Sequence, residues 1–324
     1  MKTEPFSRPL SRHRTLVAGL RPDFPTMKVL FKDYGTCALY RPMLGTTGPL
    51  PTVLYIPGNA FVASETEYTY NICSRIAALS GYQVILLKHR LAPEFQAPIP
   101  FEDIKCTVNK LLLALNNPLN IDKSKVAICG YSSGGNLAAL LAIYAKKNNL
   151  LIAHQLLISP VTDLSEALKG FKCHGNEDTA ISQAFVDWFL KLYIPKKMNP
   201  NNPIISPYHS GVRDFQDLPP TDIVVGEFDR FREDAEKYAK RLNEQKNIVH
   251  LFKIKAGNHG TWWHNPAVIE MVVQRLRLSI GAESISPRLV CIQSQAVNII
   301  RVRLCKSTAK TLEEDLKSKK VLIF

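Results

Sequence analysis

The strongest constraint in this 324-residue chain is a regular alternation of short β-branched runs with helical stretches, sustained for more than 200 residues. Strands are expected at 29–34, 37–42, 52–56, 83–88, 125–129, 154–159, 222–226 and 249–254. Helices are expected at 65–80, 100–116, 134–147, 231–245 and 266–280, each closed by a turn signal such as Ser80-Gly81. The central strands, for example QVILLK and KVAIC, are near-continuous apolar runs, which is how strands covered on both faces read. Strand and helix in alternation imply an α/β architecture: a mostly parallel sheet of eight strands flanked by helices. Gly35-Thr36 is too short for a crossover, so the first two strands should form an antiparallel hairpin. Residues 163–215 interrupt the rhythm without a clear strand and carry Phe185, Trp188, Phe189 and Tyr193. An excursion at that edge of a parallel sheet is a place for a lid or substrate wall, with an ordinary packed helix as the alternative.

Composition narrows the class. Hydrophobic residues make up 46% and charged residues 21%, so the chain is neither disordered nor fibrous. The net charge of +13 sits largely at the ends. Residues 1–30 hold six basic and two acidic side chains, and residues 283–324 hold eight and four. The few aromatic residues of these basic ends do not form the interleaved pattern that a nucleic-acid platform requires, so no nucleic acid is expected. Seven widely spaced cysteines without a CxxC pair read as reduced thiols rather than a zinc ribbon, and no metal is expected. The basic N-terminus lacks an apolar signal core, and no run approaches a membrane span. A cytoplasmic location is the expectation, with signal-less export the alternative.

Chemistry enters at Gly130-Tyr131-Ser132-Ser133-Gly134, set between the strand KVAIC and the helix LAALLAIYAKK. G-x-S-x-G in that context is a sharp turn that exposes the serine Oγ at a helix N-terminus, where the dipole and free N–H groups favour negative charge. Ser132 is therefore the candidate nucleophile. Its base and orienting acid should follow later strands. DIVVG leads into Glu227-Phe228-Asp229, and VHLFKI leads into Asn258-His259-Gly260. The expected order is Ser132, Asp229, His259. His264 is the rival base, and Glu227 and Asp234 are rival acids. Asp229 could instead cap the helix that starts near Phe231. His154 reads as a core residue, and His174 and His209 as surface residues of the insertion. The turn Pro57-Gly58-Asn59-Ala60-Phe61 follows an earlier strand and suits a second set of backbone donors.

These blocks together resemble the hormone-sensitive-lipase-like family of α/β-hydrolases, the bacterial esterase and acetyl-esterase group, over about residues 28–282. LYIPGNAF stands where the family has a strand and HGGGF, and KHRLAPE looks like its Y-R-L-A-P-E. GYSSGGNLAA resembles its GDSAGGNLA, and ISPVTDL, the stretch 218–242 and AGNHG match later blocks. The resemblance implies the α/β-hydrolase fold with a small helical cap. It also implies a serine carboxylesterase that cleaves small esters, with short to medium acyl chains, through an acyl-enzyme and without a cofactor. The implied catalytic residues are Ser132, Asp229 and His259, and the implied oxyanion donors are Asn59, Ala60 and Ser133. Two departures stand out. Two of the family's glycines are Asn59 and Ala60 here; Asn tolerates positive φ and Ala does so poorly. Tyr131 replaces the usual acidic neighbour of the serine. Phe61, Tyr131, Trp188 and Trp262 are candidate pocket residues, with core packing as the alternative for each aromatic.

Two other functions share this fold. One is a weak or inactive ligand-binding module, which the altered PGNA loop suggests and the retained His259 opposes. The other is an amidase or deacetylase. The segment 1–27 is read as a basic lead-in and reduced cap, and 283–324 as a basic extension. Within that extension NIIRVRL alternates as a half-exposed strand would. A membrane or protein contact through it and a loosely ordered tail are both open readings.

Overall fold

A computed structural model of the chain describes residues 29–43, 48–117, 119–170, 181–281 and 299–302. The N-terminal segment, His174 and most of the C-terminal extension lie outside the described residues. All eight expected strands form: β1 (Val29–Asp33), β2 (Cys37–Pro42), β3 (Leu50–Ile56), β4 (Gln83–Leu87), β5 (Ile121–Tyr131), β6 (His154–Ile158), β7 (Thr221–Gly226) and β8 (Val249–Ile254). A ninth, β9 (Ile299–Val302), falls on the alternating stretch of the extension and pairs antiparallel with β8, Ile254 opposite Ile299. The sheet order is β1-β2-β4-β3-β5-β6-β7-β8-β9. Pairing is parallel from β4 across to β8 and antiparallel at both ends.

The helices are α1 (Glu67–Ser80), α2 (Ile99–Leu113), α3 (Ser133–Lys147), α4 (Leu164–Lys169), α5 (Gln183–Tyr193), α6 (Val212–Phe215), α7 (Arg232–Glu244), α8 (Thr261–His264) and α9 (Pro266–Ile280). Local chemistry sets their ends. Thr66 caps α1, which stops at Gly81 in a left-handed conformation. Asn265 caps α9, with Pro266 at its first position.

Strand pleating sorts the side chains into two cores. Val126 and Ile128 of β5 and Leu54 and Ile56 of β3 face one layer with Ile104 and Val108 of α2, Leu137 and Leu141 of α3, and Tyr238 and Leu242 of α7. Ala127, Cys129, Val53 and Tyr55, one position on, face the other layer with Ile72 and Ile76 of α1 and Val272 and Leu276 of α9. The near-continuous apolar runs are thus explained by burial on both faces. The chain leaves β3 toward β4 on one side and returns to β5 on the other. The carboxyl ends of β3 and β5 therefore border the crevice where loops diverge, which is where open α/β sheets place their sites.

One buried polar cluster pins the far half of the sheet. Asp222 of β7 is fully buried. Arg275 of α9 meets it through Nε at 2.7 Å and Nη2 at 3.1 Å, and His250 Nδ1 lies at 2.8 Å. His154 Nε2 lies 3.3 Å away, which makes this histidine a core residue as expected. Burial alone would raise the Asp222 carboxyl, but His154, His250 and Arg275 outweigh it and hold the group far below the usual carboxylate range. A depressed carboxyl contributes stability above its unfolded value of about 3.9, and loses it only as pH falls toward the native value. Arg275→Ala should therefore lower the unfolding free energy near neutral pH by about 3 kcal/mol. A urea melt checks this, and an unchanged midpoint would show that the two histidines suffice.

Candidate active site

Ser132 sits between the end of β5 and the start of α3 with φ 52° and ψ −119°. Such angles cost a non-glycine residue about 1–3 kcal/mol, so the surroundings must hold them. They do: the Ser132 N–H donates to the Ile158 carbonyl at 2.9 Å, and its carbonyl accepts from the Asn136 N–H. The motif glycine at 134 is required by close approach, since a Cβ there would lie 2.2 Å from the Ile56 carbonyl oxygen. β5, α3 and the end of β3 can meet only with a hydrogen at that position.

The predicted order of side chains becomes a spatial relay. His259 Nε2 lies 2.9 Å from Ser132 Oγ, and His259 Nδ1 lies 3.0 Å from Asp229 Oδ1. His259 and Asp229 are both buried. Burial would raise the Asp229 carboxyl. The charge and hydrogen bond of His259, the neighbouring Ser159 and the Phe231 N–H outweigh that and keep it below its ordinary value. The helix-capping alternative for Asp229 is partly realised, because Oδ1 also accepts from the Phe231 N–H at 2.9 Å. That second bond fixes the carboxylate for the histidine.

The rivals are engaged elsewhere. Glu227 accepts from the Ala256 N–H. Asp234 is buried against Thr162 and the Asp163 N–H, and burial pushes its carboxyl up to about 7. His264 packs edge-on to Tyr68, and His209 pairs with Asp163 at 3.0 Å.

The loop after β3 takes up its strain at residues the sequence reads as poorly suited to it. Asn59 does not carry the positive φ; Ala60 (53°) and Phe61 (60°) do. The Asn59 N–H is occupied, donating to Ser133 Oγ at 3.0 Å. Of the three expected oxyanion donors, the N–H groups of Ala60 and Ser133 make no hydrogen bond among the described residues, whereas that of Asn59 does. Sequence reasoning missed this tie because it joins residues 74 positions apart.

The four candidate pocket aromatics separate as well. Phe61 is fully buried and stacked on Tyr193 of α5 at 3.7 Å, so it joins the loop to the insertion instead of facing an open pocket. Tyr131 and Trp262 are also buried. The Tyr131 hydroxyl donates to the His259 carbonyl at 3.0 Å and its ring lies 5.2 Å from the imidazole, behind the relay. Trp188 is half-buried and stacked on Phe185. The insertion itself is fastened down. Arg230 Nε, one residue past Asp229, donates to the Ile181 carbonyl at 2.7 Å, and Gln96 reaches the Leu192 carbonyl.

As a unit, this arrangement can move a proton from Ser132 Oγ to His259 Nε2, hold the resulting imidazolium against Asp229, and offer two N–H groups to a developing oxyanion.

Comparison with known proteins agrees with the geometry. A family model for the alpha/beta hydrolase fold matches residues 53–263. An arylesterase of Saccharolobus solfataricus is 31% identical over 237 residues, covering 72% of this chain and 75% of that protein. An ethyl acetate hydrolase of Pseudomonas putida is 27% identical over 209 residues, covering 64% of each. The solved hyperthermophilic esterase from the archaeon Pyrobaculum calidifontis superposes with a TM-score of 0.72 at 26% identity, covering 85% of this chain and 91% of that one. The matched span runs from the third strand past His259, over more than half of the chain, so the protein belongs to the α/β-hydrolase fold family, in its hormone-sensitive-lipase-like branch.

Proposed function

We propose that the protein hydrolyses small carboxylic esters through an acyl-enzyme on Ser132. The observation that carries this reading is the continuous chain Asp229 Oδ1, His259 and Ser132 Oγ, at 3.0 and 2.9 Å, with the Ala60 and Ser133 N–H groups engaged by no described residue. Ser132 Oγ attacks the ester carbonyl carbon as His259 Nε2 takes its proton. The carbonyl oxygen gains charge and is received by the Ala60 and Ser133 N–H groups. The tetrahedral species collapses, the C–O bond to the leaving alcohol breaks, and His259 returns the proton to that oxygen. Water, deprotonated by His259, then releases the acid and restores Ser132. Asp229 keeps the imidazole in the tautomer with Nδ1–H and supports the imidazolium; its depressed carboxyl stays ionised throughout.

The names of the relatives, an arylesterase and an ethyl acetate hydrolase, support small esters with short to medium acyl chains as substrates. We assign the catalytic domain to about residues 28–282, with a cap insertion at about 163–215. Four described cysteines are free thiols, three of them buried, which is in keeping with a reducing cytoplasm. Among the described residues no helix is long and apolar enough to cross a membrane.

Two outcomes test the reading. Wild type should react with a fluorophosphonate probe and turn over p-nitrophenyl acetate, and Ser132→Ala should lose labelling and about 10⁴–10⁶ in kcat. Equal rates for the two proteins would refute the assignment. Asp229→Asn should keep the fold and drop kcat by about 10⁴, because the amide favours the wrong imidazole tautomer. Near-wild-type turnover in that variant would remove Asp229 from the mechanism.

A further inference from the structure

Three positions at which this chain differs from the resembling motifs meet in one place. Asn59 stands for a glycine, Ser133 for an alanine and His89 for a tyrosine. The Asn59 Nδ2 lies 3.3 Å from His89 Nε2, and the backbone N–H of Asn59 donates to Ser133 Oγ. We propose that His89 is a positioning residue for ester hydrolysis: it holds the Asn59 carboxamide in the one orientation that aims the Ala60 N–H at the oxyanion. The proposal rests on the ester-hydrolase reading above.

The direction of every bond in this network is determined. His89 Nδ1 lies 2.9 Å from the Arg90 carbonyl oxygen, which can only accept, so Nδ1 carries the proton. Nε2 of a neutral ring is then an acceptor. Burial pulls the His89 ring below its usual range, although the Arg90 carbonyl, Glu65 and Asp103 favour the charged form. Asn59 Oδ1 accepts from the Phe61 N–H at 3.0 Å and from Ser133 Oγ at 3.3 Å, which fixes the amide oxygen on that side and turns Nδ2 toward His89. The anchor is rigid in turn. Arg90 is clamped by its N–H, Nε and Nη2 to Asp103 of α2.

This tether has a mechanical purpose. Ala60 and Phe61 are consecutive non-glycine residues at positive φ, each costing about 1–2 kcal/mol. The family motif meets such a turn with glycines, whereas here the Asn59 side chain bridges it by accepting from Phe61 N–H. Without an acceptor at position 89, Nδ2 would be a buried donor with no partner, and the carboxamide would gain by rotating. The Phe61 N–H and the Ser133 hydroxyl would then lose the Asn59 Oδ1 acceptor, and the turn would relax with the Ala60 N–H off its line.

The test is a double-mutant cycle with p-nitrophenyl acetate. His89→Leu should lower kcat about tenfold to a hundredfold, less than complete removal of an oxyanion donor, with KM within about twofold. His89→Gln, which again offers an uncharged acceptor, should recover kcat to within about threefold. In an Asn59→Gly background, His89→Leu should cost less than about twofold, because His89 acts only through Asn59. An equal cost in both backgrounds, or no cost in either, overturns the proposal. The wild-type protein gives a reading that needs no variant to fold. Long-range ¹⁵N–¹H spectra should show His89 neutral with its proton on Nδ1, and a proton on Nε2 overturns the proposal. Wild type that neither labels with fluorophosphonate nor turns over ester refutes the hydrolase reading itself. The His89 tautomer still reports on the tether in that case.

Discussion

Everything at the site depends on one strained residue. Ser132 is held at φ 52° because β5 enters the turn against the end of β3 and α3 leaves it at once. The near-collision of Gly134 with the Ile56 carbonyl is the same constraint seen from the other side. It aims Oγ out of the sheet toward His259 and puts the Ser133 N–H at the first position of a fifteen-residue helix, where no described residue engages it. A relaxed backbone would turn the hydroxyl away and lengthen the 2.9 Å contact to the imidazole. The cost of strain is met by packing: twelve residues of α3 are buried, and both sheet faces are covered.

A second strained turn faces the first. The loop after β3 places Ala60 and Phe61 at positive φ. It is steadied from three sides: by the Asn59 carboxamide within the loop, by Phe61 stacked on Tyr193 of the insertion, and by the Ala92 N–H on the Phe61 carbonyl. The insertion and the loop therefore meet through Phe61, whose ring contacts both Phe189 and Tyr193. A change in α5 would reach the Ala60 N–H through Phe61 before it reached Ser132. Arg230 adds a parallel link, joining the acid-bearing loop to the start of the insertion helix.

Much of this was legible in the sequence, for identifiable reasons. Strands buried on both faces leave unbroken apolar runs, which mark β3, β4, β6 and β7, whereas the largely exposed β1 is marked by the short turn Gly35-Thr36 that pairs it with β2, and the ninth strand follows the alternation in NIIRVRL. Ser132 was readable because its geometry is local, a few residues between strand and helix. Asp229 and His259 were readable because parallel strands deliver their loops to one edge. The contacts of Asn59 were not readable. Its N–H is taken by Ser133, 74 residues away, and its side chain by His89, 30 residues away. The surroundings of the candidate pocket aromatics were not readable either. Phe61, Tyr131 and Trp262 are apolar residues near the site in sequence, but only three-dimensional packing decides that Phe61 stacks on Tyr193 of the insertion, that Tyr131 lies behind His259 and that Trp262 packs on Tyr131.

If Ser132, His259 and Asp229 act as one acyl-transfer unit, the acyl group must pass through Ser132 Oγ, which can be measured directly. Rapid mixing with p-nitrophenyl acetate, followed by acid quench and peptide mass mapping, should reveal a nitrophenolate burst about equal to the enzyme present. It should also reveal one added acetyl group on the peptide that carries Ser132. Turnover with no covalent acetyl on that peptide, or with the acetyl on another residue, would contradict an acyl-enzyme on Ser132.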